Sequence, residues 1–120
     1  MPKLLVVDDQ SQIRRLLSLV LAKEFDVLEA ENGASALATI YREKPRVVLL
    51  DVMMPGAIDG LQVLDAIKMD DALLDTRVAI ISARGQVVDL EAARRRGADA
   101  YFVKPFSPAR VVEWVREQLA

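Results

Sequence analysis

The sequence predicts an α/β fold in which helices cover both faces of a doubly wound parallel sheet. Short apolar runs rich in branched residues alternate with longer stretches of helical periodicity, and this strand-then-helix order occurs five times. The 120 residues are 52% hydrophobic, which is enough for the core of one domain. We therefore expect one domain over residues 1–120, with right-handed crossovers between its parallel strands.

The five predicted strands are too short to be helices, and their apolar residues follow one another without alternation. This pattern is typical of strands that are buried on both faces of a sheet. The second run is the weakest, which suits a strand at the edge. The strands are predicted at residues 4–7, 26–28, 47–50, 78–81 and 101–103.

The first three predicted helices each follow one of these strands. Asn32 is expected to cap the second helix, whose apolar positions include Tyr41, and Asp59 is expected to cap the third. The first helix shows apolar residues at i, i+3, i+4, i+7 and i+8, which predicts a buried stripe. The stripe consists of Ile13, Leu16, Leu17, Val20 and Leu21.

The last two predicted helices have clear boundary residues. The fourth covers about 87–96 and stops before Gly97, a residue that favours the left-handed conformation past a helix end. The fifth begins with Ser107 as its cap and Pro108 at its first position. Trp114 lies to one side of the apolar stripe of this helix, where core packing and partner contact both stay open.

We expect the strand order 2-1-3-4-5 and a flavodoxin-like (βα)5 three-layer sandwich. Ligands of such sheets bind outside the carboxyl ends of the strands, where the strand order reverses. The first and third strands, expected to be neighbours, both end in carboxylates. The residues that follow the strands are Asp8 and Asp9 after the first, Asp51 after the third, Ser82 after the fourth and Lys104 after the fifth.

Carboxylates at the tips of adjacent parallel strands repel one another. Strands lie about 4.8 Å apart, and two charges at about 5 Å repel by about 3 kcal/mol at an effective dielectric of about 20. Such repulsion raises the pKa of one carboxyl by about two units or is relieved by a cation. A divalent ion held by two or three carboxylates indicates magnesium. With the metal bound, Asp51 can attack phosphorus, while Lys104 and Ser82 contact phosphoryl oxygens.

Two absences exclude whole classes of site. The chain has no Cys and no His, which rules out zinc centres with those ligands and Ser-His-Asp or Cys-His catalysis.

The net charge of −2 and a pI near 5.1 argue against nucleic-acid and membrane-surface partners. No apolar run approaches the roughly 18 residues of a membrane span, and we expect a cytoplasmic protein without a leader peptide.

Other interpretations of the aspartates stay open at this point. Asp8 and Asp9 could simply cap the first helix, and Asp51 could cap a turn. A flavin- or dinucleotide-binding protein of the same architecture would place a Gly-rich turn after the first strand, whereas this chain has Asp-Asp-Gln-Ser. A magnesium-dependent aspartyl-phosphate phosphatase of the haloacid-dehalogenase type would carry a second Asp two positions after the nucleophile, and here that residue is Met53.

Four motifs, in this order and spacing, resemble the receiver domain of two-component response regulators. The resemblance covers essentially the whole chain. The motifs are Leu-Val-Val-Asp8-Asp9, Leu-Leu-Asp51-Val-Met-Met-Pro55-Gly, Ile-Ile-Ser82-Ala and Gly97-Ala-Asp-Ala-Tyr101-Phe-Val-Lys104-Pro105-Phe.

The resemblance implies a phosphorylation-activated switch that is not an enzyme beyond its own phosphoryl transfer and autodephosphorylation. Asp51 would accept the phosphoryl group from a sensor histidine kinase or a histidine phosphotransfer protein. Asp8, Asp9, Asp51 and the backbone carbonyl of Met53 would bind Mg²⁺. Because phosphate-independent receiver-like interaction modules also occur, phosphate-dependent change is the feature to test.

The resemblance also implies how the signal would leave the site. Ser82 and Tyr101 would form the switch pair, and Lys104 would contact the phosphate and form a cis peptide bond with Pro105. The face made by the fourth helix, fifth strand and fifth helix would then change its preference for a downstream effector. The same face also allows for a homodimer.

One departure from the family pattern lies just after Asp51. The family usually has Met-Pro-Gly-x-Asp-Gly, whereas this chain has one more residue between Pro55 and Asp59. The extra residue leaves the loop conformation and the start of the third helix open. Met53, expected to pack in this loop, and Arg84 occupy positions where family members tune phosphate hydrolysis.

Overall fold

A computed structural model describes residues 1–54, 56–83 and 87–120, with the side chains of residues 87–90 left out. It confirms the predicted fold: five parallel strands in one sheet, with helices on both faces. The sheet order is the expected 2-1-3-4-5. The strands are β1 (Lys3–Val7), β2 (Asp26–Ala30), β3 (Val47–Asp51), β4 (Arg77–Ala83) and β5 (Ala100–Lys104), and the helices are α1 (Ser11–Leu21), α2 (Gly33–Glu43), α3 (Gly60–Lys68), α4 (Val87–Arg95) and α5 (Pro108–Leu119).

The strand register brings the tips of the central strands to one edge of the sheet. β1 pairs with β3 so that Val7 lies opposite Leu50, one residue before Asp8 and Asp51 respectively. β3 pairs with β4 on its other side, and β5 completes the sheet. The residues that follow β1 and β3 are therefore direct neighbours, as the parallel topology requires.

The core lies in two layers because the central strands are buried on both faces. In β1, Leu5 and Val7 pack in the layer that contains residues of α2 and α3, whereas Leu4 and Val6 pack in the layer of α1 and α5. Every residue of β3 is buried. Burying one such aliphatic side chain contributes roughly 1.5–3 kcal/mol, so the apolar runs are what hold the site residues in place.

The helix ends confirm the predicted caps. The Asn32 side chain accepts from the backbone N–H of Ser35 at 2.8 Å, and Ser107 caps α5 in the same way. Asp59 and Gln62 form a reciprocal capping box at the start of α3. Gly97 follows α4 with a φ of 95°, which a glycine adopts without strain.

Some boundaries and exposures differ from the prediction. β2 runs two residues further than predicted, to Ala30, because Glu29 and Ala30 still pair with β1 through their backbones. The fourth helix ends one residue earlier than predicted, at Arg95. Leu16 and Tyr41, predicted on apolar stripes, are 42% and 49% exposed because they lie at the margins of their helix faces.

Within the described part of the chain, no helix combines the length and apolar character that crossing a membrane requires.

Candidate metal and phosphoryl site

Three carboxylates meet beyond the carboxyl ends of β1 and β3. Asp8, Asp9 and Asp51 each place a carboxylate oxygen within 4.8 Å of the other two. Asp8 and Asp51 are only 2% and 4% exposed, whereas Asp9 faces solvent. The structure therefore brings together the three acids that the sequence singles out, at the separation expected for neighbouring strands.

Lys104 reaches this cluster from the end of β5. Its Nζ lies 3.1 Å from Oδ2 of Asp8 and 3.8 Å from Oδ2 of Asp51, and the side chain is 16% exposed. β4 lies between β5 and β3, and both β3 and β4 lie between β5 and β1, so the long lysine stem reaches across the tips of neighbouring strands to the two acids. The peptide bond between Lys104 and Pro105 is cis.

The electrostatics of the cluster are those of a site with surplus negative charge. Burial, followed by the charge of Asp8, raises the pKa of Asp51 from 3.8 to about 7. Lys104 opposes this rise, as does the backbone N–H of Met53, which donates to Oδ1 of Asp51 at 3.3 Å. The pKa rises by more than the two units expected from charge repulsion alone, because removal of Asp51 from water adds to it.

Two buried hydroxyls on β4 and β5 lack hydrogen-bond partners within the described residues. Ser82, on β4 one residue beyond the partner of Asp51, is fully buried, and its Oγ makes no hydrogen bond. The hydroxyl of Tyr101 on β5 is buried and also makes none. Burial raises the pKa of Tyr101. A buried hydroxyl without a partner costs free energy, so both groups can gain a bond if an acceptor reaches them.

The turn after β1 contains contacts that the sequence interpretation missed. Oδ1 of Asp8 accepts from the backbone N–H of Gln10 at 2.8 Å, and Gln10 occupies the cap position of α1 without a side-chain cap bond. The capping interpretation of Asp8 and Asp9 is therefore wrong. Arg14 donates to the backbone carbonyl of Asp8 at 2.8 Å and to Glu29 at 3.0 Å, which fixes the turn to β2. A long polar residue at a helix cap was the available signal for Gln10.

The longer loop after Asp51 returns to its own starting point. The backbone N–H of Gly60 donates to the carbonyl of Val52 at 3.1 Å. A Cβ at Gly60 would lie 2.3 Å from the carbonyl oxygen of Asp51, so only glycine permits this approach. The two ends of the loop are thus held together, and the additional residue leaves Asp51 at the strand tip.

Met53 is 57% exposed, so the prediction that it packs within the loop is wrong, although its backbone N–H donates to Asp51. Pro55 and Arg84 lie outside the described residues.

The donor set fits a hard divalent cation. All three acids offer oxygen ligands, and the carboxylates are close enough to share one ion. Burial and then the charge of Asp8 raise the pKa of Asp51, and a bound cation would compensate the negative charge at this site. A cavity of about 210 Å³ opens beside the acids and could admit a phosphoryl group. It is lined by Asp9, Gln10, Asp51, Met53, Ala83 and Lys104.

Comparison with known proteins identifies relatives over the whole length of the chain. The family model of the response regulator receiver domain matches residues 4–116. The transcriptional regulatory protein ResD of Bacillus subtilis is 41% identical over 98% of this chain and 48% of its own length. The sporulation initiation phosphotransferase F of the same organism is 37% identical over 98% of this chain and 93% of its own length. The chain thus spans about half the length of ResD and nearly all of the second relative.

A solved structure agrees with the sequence relatives. The receiver domain of NtrX from Brucella abortus superposes with a TM-score of 0.87 at 36% identity, covering 97% of each chain.

Proposed function

This chain belongs to the response regulator receiver domain family of two-component systems, and we propose that it is a phosphorylation-activated switch whose phosphoacceptor is Asp51. The observation that carries the proposal is the buried Asp51 carboxylate beside two further carboxylates and Lys104. Receiver domains are signalling modules rather than classical enzymes, so the chemistry here would serve the state of the protein itself. The proposed receiver domain covers residues 1–120.

In the proposed reaction, a carboxylate oxygen of Asp51 forms a bond to phosphorus as the bond between phosphorus and the donor nitrogen breaks. The donor would be the phosphohistidine of a sensor histidine kinase or of a histidine phosphotransfer protein, and its imidazole would leave with the electron pair. Lys104 would neutralise charge on the phosphoryl oxygens, since its Nζ already lies 3.8 Å from Asp51. Autodephosphorylation would reverse the state by attack of water.

The residues that would hold Mg²⁺ are Asp8, Asp9 and Asp51, together with the backbone carbonyl of Met53. The ion would supply positive charge against the phosphoryl oxygens. Two backbone hydrogen bonds orient the buried carboxylates: the N–H of Gln10 donates to Asp8, and the N–H of Met53 donates to Asp51. Asp9, the exposed member, would close the ligand set from the solvent side.

The two unpartnered hydroxyls support the proposed switch. Ser82 would donate to a phosphoryl oxygen on Asp51, and its movement would open space that Tyr101 fills from β5. The face of α4, β5 and α5 would then change its affinity for a downstream effector or for a second copy of this chain. Val103, 40% exposed on β5, is part of this face. Such a local charge event acting on a two-state element is a common switching device.

A cytoplasmic location and the absence of nucleic-acid and membrane partners stay predictions of this proposal.

The decisive experiment is phosphorylation by a small phosphodonor such as acetyl phosphate in the presence of Mg²⁺. Intact-mass measurement should show the addition of one phosphoryl group to the parent protein and none to Asp51→Ala. Asp75→Ala is a matched control, since Asp75 is an exposed aspartate away from the strand tips. It should be labelled like the parent.

Two results would contradict the proposal. Equal labelling of Asp51→Ala and the parent would remove Asp51 as phosphoacceptor. Mg²⁺ binding without any labelling, and without a change of Trp114 fluorescence on addition of beryllofluoride, would favour an interaction module that works without phosphate.

A further inference from the structure

In the turn after β1, the long polar side chain of Gln10 is not explained by helix capping. It occupies the cap position of α1, where Ser, Thr, Asp or Asn are preferred because their short side chains bond the helix N–H groups. The Gln10 side chain makes no such bond. Its Oε1 instead accepts from Nζ of Lys104 at 3.1 Å, across 94 residues of sequence.

This contact determines where the lysine charge lies. The ammonium group has three N–H donors, and within the described part of the chain its close acceptors are Asp8 and Gln10, both at 3.1 Å. Asp51 is farther away, at 3.8 Å, which is beyond hydrogen-bond distance. Lys104 is therefore held beside Asp51 rather than on it, and the phosphoacceptor oxygen keeps an open side toward the cavity.

The neutral amide suits this task better than a charged residue would. Three carboxylates already meet at this site, and two of them lie within 4.0 Å of the ammonium group, at 3.1 and 3.8 Å. A further negative charge would repel an incoming phosphoryl group. If Asp8 binds a cation, its hold on Lys104 weakens because the two cations compete for one carboxylate. Among the described residues, Gln10 would then be the acceptor that still holds Lys104 at the cavity that both residues line.

We propose that Gln10 is a positioning residue for phosphoryl transfer, which acts by holding the Lys104 ammonium beside Asp51. This inference rests on the proposed function, because it concerns the rate at which Asp51 is phosphorylated. Removal of the acceptor lets Lys104 fold onto Asp51 or turn to solvent, and either movement slows transfer without preventing folding.

The test compares Gln10→Leu and Gln10→Ser with the parent, using acetyl phosphate as donor at saturating Mg²⁺. Both variants should be phosphorylated about 3- to 10-fold more slowly, the range expected for a partly exposed hydrogen bond to a charged group. Gln10→Ser should at the same time melt at an equal or higher temperature, since serine is the better helix cap. Slower phosphorylation together with an equal or higher melting temperature distinguishes a positioning role from a structural one.

A double-mutant cycle provides the second measurement. In a Lys104→Met background, Gln10→Leu should change the rate by less than about 1.5-fold, because the group that it positions is gone. Gln12→Leu, at an exposed position two residues further on in the first turn of the same helix, should match the parent.

The outcomes separate this inference from the proposed function. Labelling of the parent with no slowing in either Gln10 variant would overturn the positioning role and leave the phosphoacceptor intact. An equal slowing by Gln10→Leu with and without Lys104 would also overturn it, since the effect would then not pass through the lysine. Absence of labelling in the parent would overturn the proposed function itself.

Discussion

The two ends of the parallel sheet differ in how well their buried polar groups are satisfied by hydrogen bonds and opposite charges. At the amino ends of the strands, Thr76 is buried and donates to the carbonyl of Pro45 at 2.9 Å. Asp99 there accepts from the backbone N–H of Val78 at 2.8 Å and from Lys68 at 2.9 Å. At the carboxyl ends, buried carboxylates crowd together, and the Ser82 hydroxyl has no partner in the described part of the chain.

The difference shows where this fold is stabilised and where it can respond. Satisfied polar groups contribute to folding and leave nothing for a ligand to improve. Crowded carboxylates and unpartnered hydroxyls cost free energy in the resting protein, and a cation or phosphoryl group can recover that cost. Changes at the amino end should therefore lower stability alone, whereas changes at the carboxyl end should remove function and leave stability equal or higher.

The largest effect is expected from Asp51→Asn in metal-free buffer. The folded-state pKa of about 7 lies above the ordinary value of 3.8, so the folded protein binds the proton more tightly than the unfolded chain does. The stability of the parent therefore falls as pH rises from about 4 to about 7, whereas the variant does not lose this contribution. At pH 8 the variant should be more stable by about 4 kcal/mol, measured by urea unfolding.

The pH dependence is the control for this prediction. The gap between variant and parent should narrow toward pH 5 and should shrink in saturating Mg²⁺, which compensates the buried charge. A gap that is the same at pH 5 and pH 8 would show that ionisation of Asp51 is not its cause.

The second effect concerns the amino end, where Asp99→Ala should lower the free energy of unfolding by about 2 kcal/mol. The change leaves the N–H of Val78 and the ammonium of Lys68 without their acceptor. The rate of phosphorylation by acetyl phosphate should stay within about twofold of the parent. A large loss of labelling in the folded variant would show that the two ends are coupled.

The smallest expected effect gives the sharpest comparison, because a buried hydroxyl is removed at each end of the sheet. Thr76→Val removes a satisfied buried hydroxyl and should destabilise the protein by about 1 kcal/mol, whereas Ser82→Ala removes an unsatisfied one and should be neutral or stabilising. Of these two variants, only Ser82→Ala should slow phosphoryl transfer. Equal destabilisation by both, measured by urea unfolding, would contradict the contrast between the ends.

The sequence predicts the fold and the acids of the site well because both depend on local patterns. Unbroken apolar runs define β1 and β3, and parallel topology then places Asp8 beside Asp51 without any knowledge of side-chain packing. The caps at Asn32 and Asp59 are equally local, since each bonds a residue three positions away.

The remaining features depend on contacts between distant residues. Gln10 meets Lys104 only after five strands have paired, and no periodicity indicates that meeting. The burial that raises the pKa of Asp51 is a property of the assembled site. Trp114 packs edge-on against Phe102, with ring centroids 6.3 Å apart, a contact that the sequence does not indicate, and partner contact by Trp114 stays open.

The closed loop after Asp51 has a practical consequence for the design of sensors. Its ends meet at Val52 and Gly60, so added length between them extends into solvent, and each doubling of loop length costs only about 0.6 kcal/mol. A small fluorescent label at Ala57, an exposed position of this loop, would sit beside Asp9 in the cavity that both residues line. The fluorescence of the labelled protein could then report the chemical state of the carboxylates at the ends of β1 and β3.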